Sequence, residues 1–171
     1  SEFIKGFIPQ SIFIGLGGTF APWVGALIKD IHQPILLVVP LEKAEEAITR
    51  LSRVGFDNVL GFLKGGFTSW TQADKDIDTL TSISAGDLEQ KIDHGAPVFD
   101  VRKPGEFNAE HIENVPSTPL DFINEYITEF PKDRDFYLHC LGGYRSVIAA
   151  SILKARGFDN VIDVAGGYGA I

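Results

Sequence analysis

An internal repeat is the feature that most limits how this chain can fold. The pentapeptide GFDNV occurs at residues 55–59 and again at residues 157–161, an offset of 102 residues. Five identities at one offset indicate a duplicated structural unit. Each copy follows a segment with helical spacing of apolar residues and precedes a Gly-Gly pair with an aromatic residue. A short apolar run of strand length lies before each helical segment. This order predicts an α/β protein with a mainly parallel sheet flanked by helices.

The repeat also predicts two domains of unequal completeness. We predict an incomplete first domain at residues 1–73, a polar linker at residues 74–84 and a complete second domain at residues 85–171. Only the second copy has an opening helix, which Ser84 should N-cap, and a buried strand after it. The chain contains no methionine, so we expect it to be a piece of a longer protein. The first domain is then either cut at its start or degenerate.

Composition excludes several classes of partner. The 171 residues carry a net charge of -8 and have a pI near 4.9, which disfavours a nucleic-acid-binding surface and repels an anionic membrane. No apolar run reaches the roughly 20 residues that span a bilayer, and no secretory signal opens the sequence. The single cysteine cannot form an intrachain disulfide. We therefore expect a cytoplasmic protein without nucleic-acid or membrane partners.

The single cysteine, Cys140, lies in the stretch HCLGGYRS between an apolar run and the next helical segment. In parallel α/β sheets, ligands bind at the loops where a strand ends and a helix begins. The free N–H groups of the helix, the conformational freedom of Gly142 and Gly143, and the charge of Arg145 would all stabilise an anionic sulfur. The alternative is a buried structural cysteine, which is a common role for this residue. The position in the loop favours a nucleophile.

Three separated motifs resemble those of rhodanese-type sulfurtransferases. CLGGYRS resembles the active-site loop of that family, DVRKPGEFNAEHI at residues 100–112 resembles its second signature, and GFDNVIDVAGGYGA at residues 157–170 resembles its closing strand and turn. In the first copy, IPQSIFIGLGGTFAPWVG at residues 8–25 resembles the first of two rhodanese domains that follow a metallo-β-lactamase-fold domain in persulfide dioxygenase-like fusion proteins. The resemblance implies two rhodanese-like domains, the first truncated, with an N-terminal metal-binding domain of the longer protein as a partner.

The resemblance implies sulfur transfer through a covalent intermediate. The thiolate of Cys140 would attack the outer sulfur of thiosulfate or of a persulfide, and the new persulfide would pass its sulfur to a thiol or another thiophilic acceptor. Arg145 would steady the charge of the donor or acceptor. The remaining residues of the loop would bind substrate: Leu141, Gly142, Gly143, Tyr144 and Ser146.

Other polar residues are expected to support this loop. Asp100 and Arg102 end a second apolar strand and are interpreted as an ion pair or turn cap. Glu106, four residues after Arg102, is the expected partner of that arginine. His139 precedes the nucleophile and is interpreted as structural rather than as a proton donor.

The sequence supports no metal site and no cofactor. The four histidines are scattered singly, and one cysteine cannot form a thiolate cluster. GLGGTF at residues 15–20 lacks the third glycine of a dinucleotide-binding loop. The offset of 102 residues places Val38 opposite Cys140 and Lys43 opposite Arg145, so the first copy is expected to be catalytically silent.

Two alternative functions stay open. A phosphatase or arsenate reductase would use the same fold and a similar loop, but those relatives place five residues between Cys and Arg, whereas this loop has four. The other alternative is a sulfur-carrying or regulatory module of a larger metal-dependent persulfide-oxidising or hydrolase-like protein.

Overall fold

A computed structural model describes residues 2–171 of the chain, and these form two compact units. The small unit is Ile14–Ile77. The large unit combines the residues up to Phe13 with Asp78–Ile171.

The small unit alternates helices and strands. In chain order its elements are α1 (Phe20–Leu27), β1 (Ile35–Leu37), α2 (Ala44–Ser52), β2 (Val59–Phe62) and α3 (Gly66–Gln72). The two strands pair in parallel, with Ile35 opposite Val59. α2 buries Ala44, Ala47 and Leu51, because residues three and four apart share one face of a helix.

The large unit contains a four-stranded sheet and three α-helices. Its elements are β3 (Ser82–Ile83), α4 (Ala85–Asp93), β4 (Val98–Asp100), α5 (Pro104–Ala109), β5 (Phe136–His139), α6 (Arg145–Ala155) and β6 (Val161–Val164). The strand order is β3-β6-β5-β4, and every neighbouring pair is parallel. The predicted α/β architecture with a parallel sheet flanked by helices is thus confirmed.

The sequences of β5 and α6 are nearly continuous apolar runs because both elements are buried. All four residues of β5 are buried, and so are eight consecutive residues of α6, from Ser146 to Leu153. A strand covered on both faces has no polar alternation. α6 is the longest α-helix, with 11 residues, and no helix within residues 2–171 is long and apolar enough to cross a membrane.

The start of α4 follows the predicted capping. The Ser84 hydroxyl accepts a hydrogen bond from the Asp87 N–H at 3.1 Å, and the Asp87 carboxylate accepts one from the Ser84 N–H at 3.3 Å. This reciprocal pair is a capping box, which satisfies two N–H groups at the helix start. Ser84 is therefore confirmed as the N-cap.

The repeated sequence has a repeated backbone geometry. Gly65 and Gly66 have φ angles of 81° and 59°, and Gly166 and Gly167 have φ angles of 78° and 57°. Each pair follows a strand that pairs in parallel with the strand before the preceding helix. The two strand-helix-strand-turn segments therefore fold alike, although the sheet of the small unit has two strands among the described residues and that of the large unit has four.

The unit boundaries differ from the predicted ones at both ends of the first copy. The polar segment at residues 74–84 contains β3, which pairs with β6, so part of the expected linker belongs to the sheet. Phe7 and Asp78 form an antiparallel bridge with two N–H···O bonds of 2.9 Å. Phe13 N–H also donates to the Ser151 hydroxyl at 2.9 Å. Through these hydrogen bonds, Phe7 and Phe13 are joined to the remainder of the large unit.

Candidate functional site

Cys140 occupies the loop between the central strand β5 and the buried helix α6. β5 ends at His139 and α6 begins at Arg145. Because all four strands are parallel, their carboxyl ends meet at one edge of the sheet, where α/β proteins bind ligands. The sequence reasoning therefore placed the cysteine correctly in the fold.

The loop aims a backbone donor at the sulfur. The N–H of Gly143 donates to Sγ of Cys140 at 3.1 Å. Gly143 has a φ of 82°, a conformation that glycine adopts without strain. A donor at the amino end of a helix stabilises negative charge on sulfur. Cys140 is only 1% exposed.

The closing turn after β6 lies directly against the loop. The N–H of Tyr168 donates to the carbonyl oxygen of Cys140 at 2.6 Å, and the N–H of Gly169 donates to that of Leu141 at 2.9 Å. A Cβ atom on Gly167 would lie 2.2 Å from the Cys140 carbonyl oxygen. The second glycine of the GG pair is therefore required for the close approach that holds the loop.

Arg145 makes a bidentate ion pair with Glu106. Its two terminal nitrogens donate to the two carboxylate oxygens at 2.5 and 2.7 Å. The hydrogen bonds from Arg145 are the main reason that the pKa of Glu106 is lowered to about 2. This pairing fixes the first residue of α6 to α5. The expected pairing of Glu106 with Arg102 is wrong, because Arg102 extends to a different carboxylate.

Asp100 and Arg102 form a buried ion pair at the end of β4. Nη2 of Arg102 lies 2.7 Å from Oδ2 of Asp100, and the Arg102 N–H donates to Oδ1 of Asp100 at 2.8 Å. The guanidinium also donates to the carbonyl of Glu110 at 2.8 Å and stacks 3.9 Å from the ring centre of Tyr168. The interpretation of this pair as an ion pair and turn cap agrees with these contacts.

His139 is fully buried beside this ion pair. Its Nε2 lies 3.9 Å from Oδ2 of Asp100. Burial lowers the pKa of His139, which favours the neutral ring at physiological pH.

The predicted substrate-binding residues divide into an exposed set and a buried one. Leu141 is 49% exposed and Tyr144 is 39% exposed, and a Cβ atom on Gly142 would meet no atom within 4 Å. Phe13, which the sequence did not single out, packs edge-on against the Tyr144 ring with 5.9 Å between centroids. Ser146 is fully buried, and its hydroxyl lies 3.5 Å from Sγ of Cys140.

Asp163 is a polar residue near the site that the sequence reasoning missed. It lies in β6 and is 3% exposed. Its Oδ2 accepts a hydrogen bond from the Ser82 hydroxyl at 3.0 Å. The available signal was a single carboxylate within the apolar strand sequence VIDV, since buried carboxylates are uncommon without a partner.

No metal-binding cluster is present in the described range. Within residues 2–171, no group of three or more His, Cys, Asp or Glu side chains could hold a metal ion.

A parallel α/β domain with a cysteine directly after a central strand, and with the Gly143 N–H donating to its sulfur, belongs to the class of α/β domains that carry a cysteine in a ligand-binding loop. Residues 84–171, slightly more than half of the chain, match the model of the Rhodanese-like domain. The chain belongs to the rhodanese-like domain family. The matched residues account for one such domain, and the small unit lies outside them.

Several known proteins are similar to the chain over this region. A sulfurtransferase from Allochromatium vinosum is 30% identical over 90 residues, which cover 52% of this chain and 84% of that protein. The putative sulfur carrier protein YrkF from Bacillus subtilis is 30% identical over 106 residues, which cover 61% of this chain and 55% of that protein. The chain thus spans about half the length of the latter. The crystal structure of a rhodanese-like domain protein from Staphylococcus aureus aligns with a TM-score of 0.51 and 30% identity, covering 53% of this chain and 90% of that one.

Proposed function

We propose that this chain is a sulfurtransferase that holds sulfane sulfur as a persulfide on Cys140. Family membership and the similarity to a sulfurtransferase and to a putative sulfur carrier support sulfur transfer in general. The observation that carries the proposal is the hydrogen bond of 3.1 Å from the Gly143 N–H to Sγ, at the amino end of α6. Such a donor stabilises both a thiolate and a persulfide anion.

The reaction has two half-reactions without any external oxidant. The thiolate of Cys140 attacks the outer sulfur of thiosulfate or of a persulfide. An S–S bond to Sγ forms while the donor's own S–S bond breaks, and sulfite or a thiolate leaves with the electron pair. An acceptor such as cyanide or a thiol then attacks the terminal sulfur, and Cys140 leaves as a thiolate.

Some of the surrounding residues are proposed to contact the substrate, and others to hold the loop in place. Leu141 and Tyr144, which are both exposed, form the mouth through which donor and acceptor approach. Gly142 leaves space for the terminal sulfur, because a Cβ there would meet no atom within 4 Å, and Gly143 directs its N–H at the sulfur. Arg145 contributes positive charge near the sulfur, but its main task is to fix the loop through Glu106, because both of its terminal nitrogens are engaged there.

The small unit is proposed to be a second, truncated rhodanese-like domain without activity. Val38 stands where the large unit has Cys140, and its hydrocarbon side chain cannot carry sulfur. Lys43, the counterpart of Arg145, is paired with Glu46 at 2.8 Å. The proposed partners are small sulfur donors, thiol acceptors and a metal-binding domain preceding this chain in a longer protein of the cytoplasm.

The test uses the whole chain and a Cys140→Ser variant. After incubation with thiosulfate, the intact mass should rise by one sulfur atom in the wild type and stay unchanged in the variant. Addition of cyanide should then remove this sulfur as thiocyanate over many cycles. Absence of the mass gain with both thiosulfate and a low-molecular-weight persulfide would refute the proposal.

A second candidate function is sulfur carriage without efficient turnover. It is favoured by the similarity to a putative sulfur carrier protein and by the burial of Cys140 to 1% exposure, since burial protects a persulfide from solvent thiols. The same experiment separates the two functions, because a carrier would gain one sulfur atom but release it slowly to cyanide.

A further inference from the structure

The cation that follows the reactive loop, Arg145, is held by a carboxylate. Arg145 is the chain neighbour of Ser146, whose Oγ lies 3.5 Å from Sγ of Cys140. Its two terminal nitrogens donate to both carboxylate oxygens of Glu106 at 2.5 and 2.7 Å. A bidentate pair of this kind fixes the two groups in one geometry, and their charges sum to zero. An anionic reactant therefore gains less from Arg145 than it would from a guanidinium without a counter-charge.

The second arginine at this edge of the sheet is paired in the same way. Nη2 of Arg102 lies 2.7 Å from Oδ2 of Asp100, and both side chains are almost fully buried. Burial lowers the pKa of His139, which lies beside Asp100, and this favours the neutral ring. Lys103 is exposed at the start of α5, where water and salt screen its charge. Together these groups offer little net positive charge to a dianion.

The side chains at the mouth of the loop favour a donor with an uncharged body. Leu141 and Tyr144 are both exposed. The ring of Phe13 packs edge-on against that of Tyr144, with 5.9 Å between centroids. A sulfonate group that faced these hydrocarbon surfaces would lose hydration without gaining a charged partner, whereas an alkyl or hydroxyalkyl group would lose less.

We propose that Glu106 sets the donor preference of Cys140: by neutralising Arg145 it shifts selectivity away from thiosulfate and towards persulfides with an uncharged body. This inference rests on the proposed function, because it concerns which donor loads the same cysteine. Glu106 acts through Arg145, which makes it a positioning residue.

The two donors differ in the charge of the group that leaves. With either donor the thiolate of Cys140 attacks the outer sulfur, an S–S bond to Sγ forms, and the S–S bond of the donor breaks. Thiosulfate releases sulfite, which leaves with the electron pair and carries two negative charges. A persulfide releases a thiolate, which carries one, and its proton stays on the transferred sulfur. A nearby carboxylate therefore opposes the reaction of thiosulfate more strongly.

The test compares the wild type with Glu106→Gln, which removes the negative charge but keeps an amide oxygen that can accept a hydrogen bond from Arg145. The chain has a single cysteine, so loading in a single turnover is followed by intact mass. The donors are thiosulfate and the persulfide of 2-mercaptoethanol. The ratio of the second-order rate constants, thiosulfate over persulfide, should rise about tenfold in the variant. This rise should shrink in about 1 M salt, where the Debye length is about 3 Å.

Two controls separate charge from loop geometry. Asp93→Asn removes the same charge from an exposed position at the end of α4, ahead of β4 and therefore at the opposite edge of the sheet, so it should leave the ratio unchanged. Glu106→Asp keeps the charge but shortens the side chain, and it should retain the ratio of the wild type. An equal rise in Glu106→Asp and Glu106→Gln would show that geometry, not charge, sets the preference, and would overturn the inference.

A binding measurement distinguishes failure of this inference from failure of the proposed function. Cys140→Ser protein cannot form a persulfide at this position, yet its dissociation constant for thiosulfate can be measured by calorimetry. Adding Glu106→Gln to this variant should lower that constant about tenfold. An unchanged constant, or an unchanged donor ratio in folded Glu106→Gln protein, would overturn the inference alone. Loading of the wild type by neither donor would instead refute the proposed function, and this inference with it.

Discussion

Replacing Gly167 with alanine should destabilise the large unit far more than the same change at Gly66 destabilises the small unit. The two glycines occupy corresponding turns with nearly the same φ angles, 57° and 59°. They differ in what an added Cβ would meet. At Gly66 the nearest atom is the Val39 carbonyl oxygen at 3.6 Å, whereas at Gly167 it is the Cys140 carbonyl oxygen at 2.2 Å.

The magnitude follows from two contributions. A left-handed conformation costs an alanine about 1–2 kcal/mol at either position. At Gly167 the clash must also push the Cys140 carbonyl away, which weakens the 2.6 Å bond from the Tyr168 N–H. The lost bond is worth about 1 kcal/mol, and overpacking adds about 1–3 kcal/mol. We therefore expect the free energy of unfolding to fall by about 1–2 kcal/mol in Gly66→Ala and by about 3–6 kcal/mol in Gly167→Ala.

The two units can be followed separately during unfolding in urea. Both tryptophans, Trp23 and Trp70, belong to the small unit, so tryptophan fluorescence reports its unfolding. Cys140 is buried in the large unit, so a pulse of alkylating reagent reports when that unit opens. Equal losses of unfolding free energy in the two variants would show that the close approach to the Cys140 carbonyl does not determine the requirement for glycine.

Three further substitutions test the ion pairs and the chemistry of the loop. In the native protein the pKa of Glu106 is lowered from 4.5 to about 2, so its pairing with Arg145 stabilises the fold above pH 4.5, and this stability is lost as the pH falls towards 2. We expect the pair to contribute about 1 kcal/mol to the free energy of unfolding, because it is partly exposed to solvent. Glu106→Gln should abolish the loss of this contribution at low pH. An acid-unfolding profile identical to that of the wild type would contradict this prediction. Arg102→Ala should lower the free energy of unfolding in urea by about 3–5 kcal/mol, because it leaves the fully buried Asp100 without its cation. A decrease below about 1 kcal/mol would indicate that water replaces the guanidinium. Cys140→Ser should abolish persulfide formation, whereas both wild type and variant should hydrolyse p-nitrophenyl phosphate at the background rate; faster turnover by the wild type would favour the phosphatase alternative.

The repeat predicted the local architecture because its signals are local. The apolar spacing before each GFDNV copy, the GG pair after it and the cap at Ser84 are properties of neighbouring residues, and α2, α6 and α4 form where these signals lie. β3 was missed because a strand of two residues has no periodicity to detect. Its assignment depends on pairing with β6, which lies about 80 residues further along the chain.

The partners of the charged residues could not be obtained from spacing. Glu106 is four residues from Arg102, which favours contact on a continuous helix. However, α5 begins only at Pro104, so Arg102 lies before the helix and extends to Asp100 instead. Glu106 is then free to meet Arg145, 39 residues away along the chain.

The sequence by itself determined the strand-loop-helix segment that holds Cys140, because hydrophobic periodicity, glycine pairs and capping residues act over a few positions. Only the tertiary structure decided which groups surround the sulfur. The Gly167 turn after β6 lies against the loop, and Glu106 of α5 pairs with the first residue of α6, so both reach this region from separate elements. Their positions are set by parallel strand pairing and by the burial of α6, and both bring together residues that are far apart in the chain.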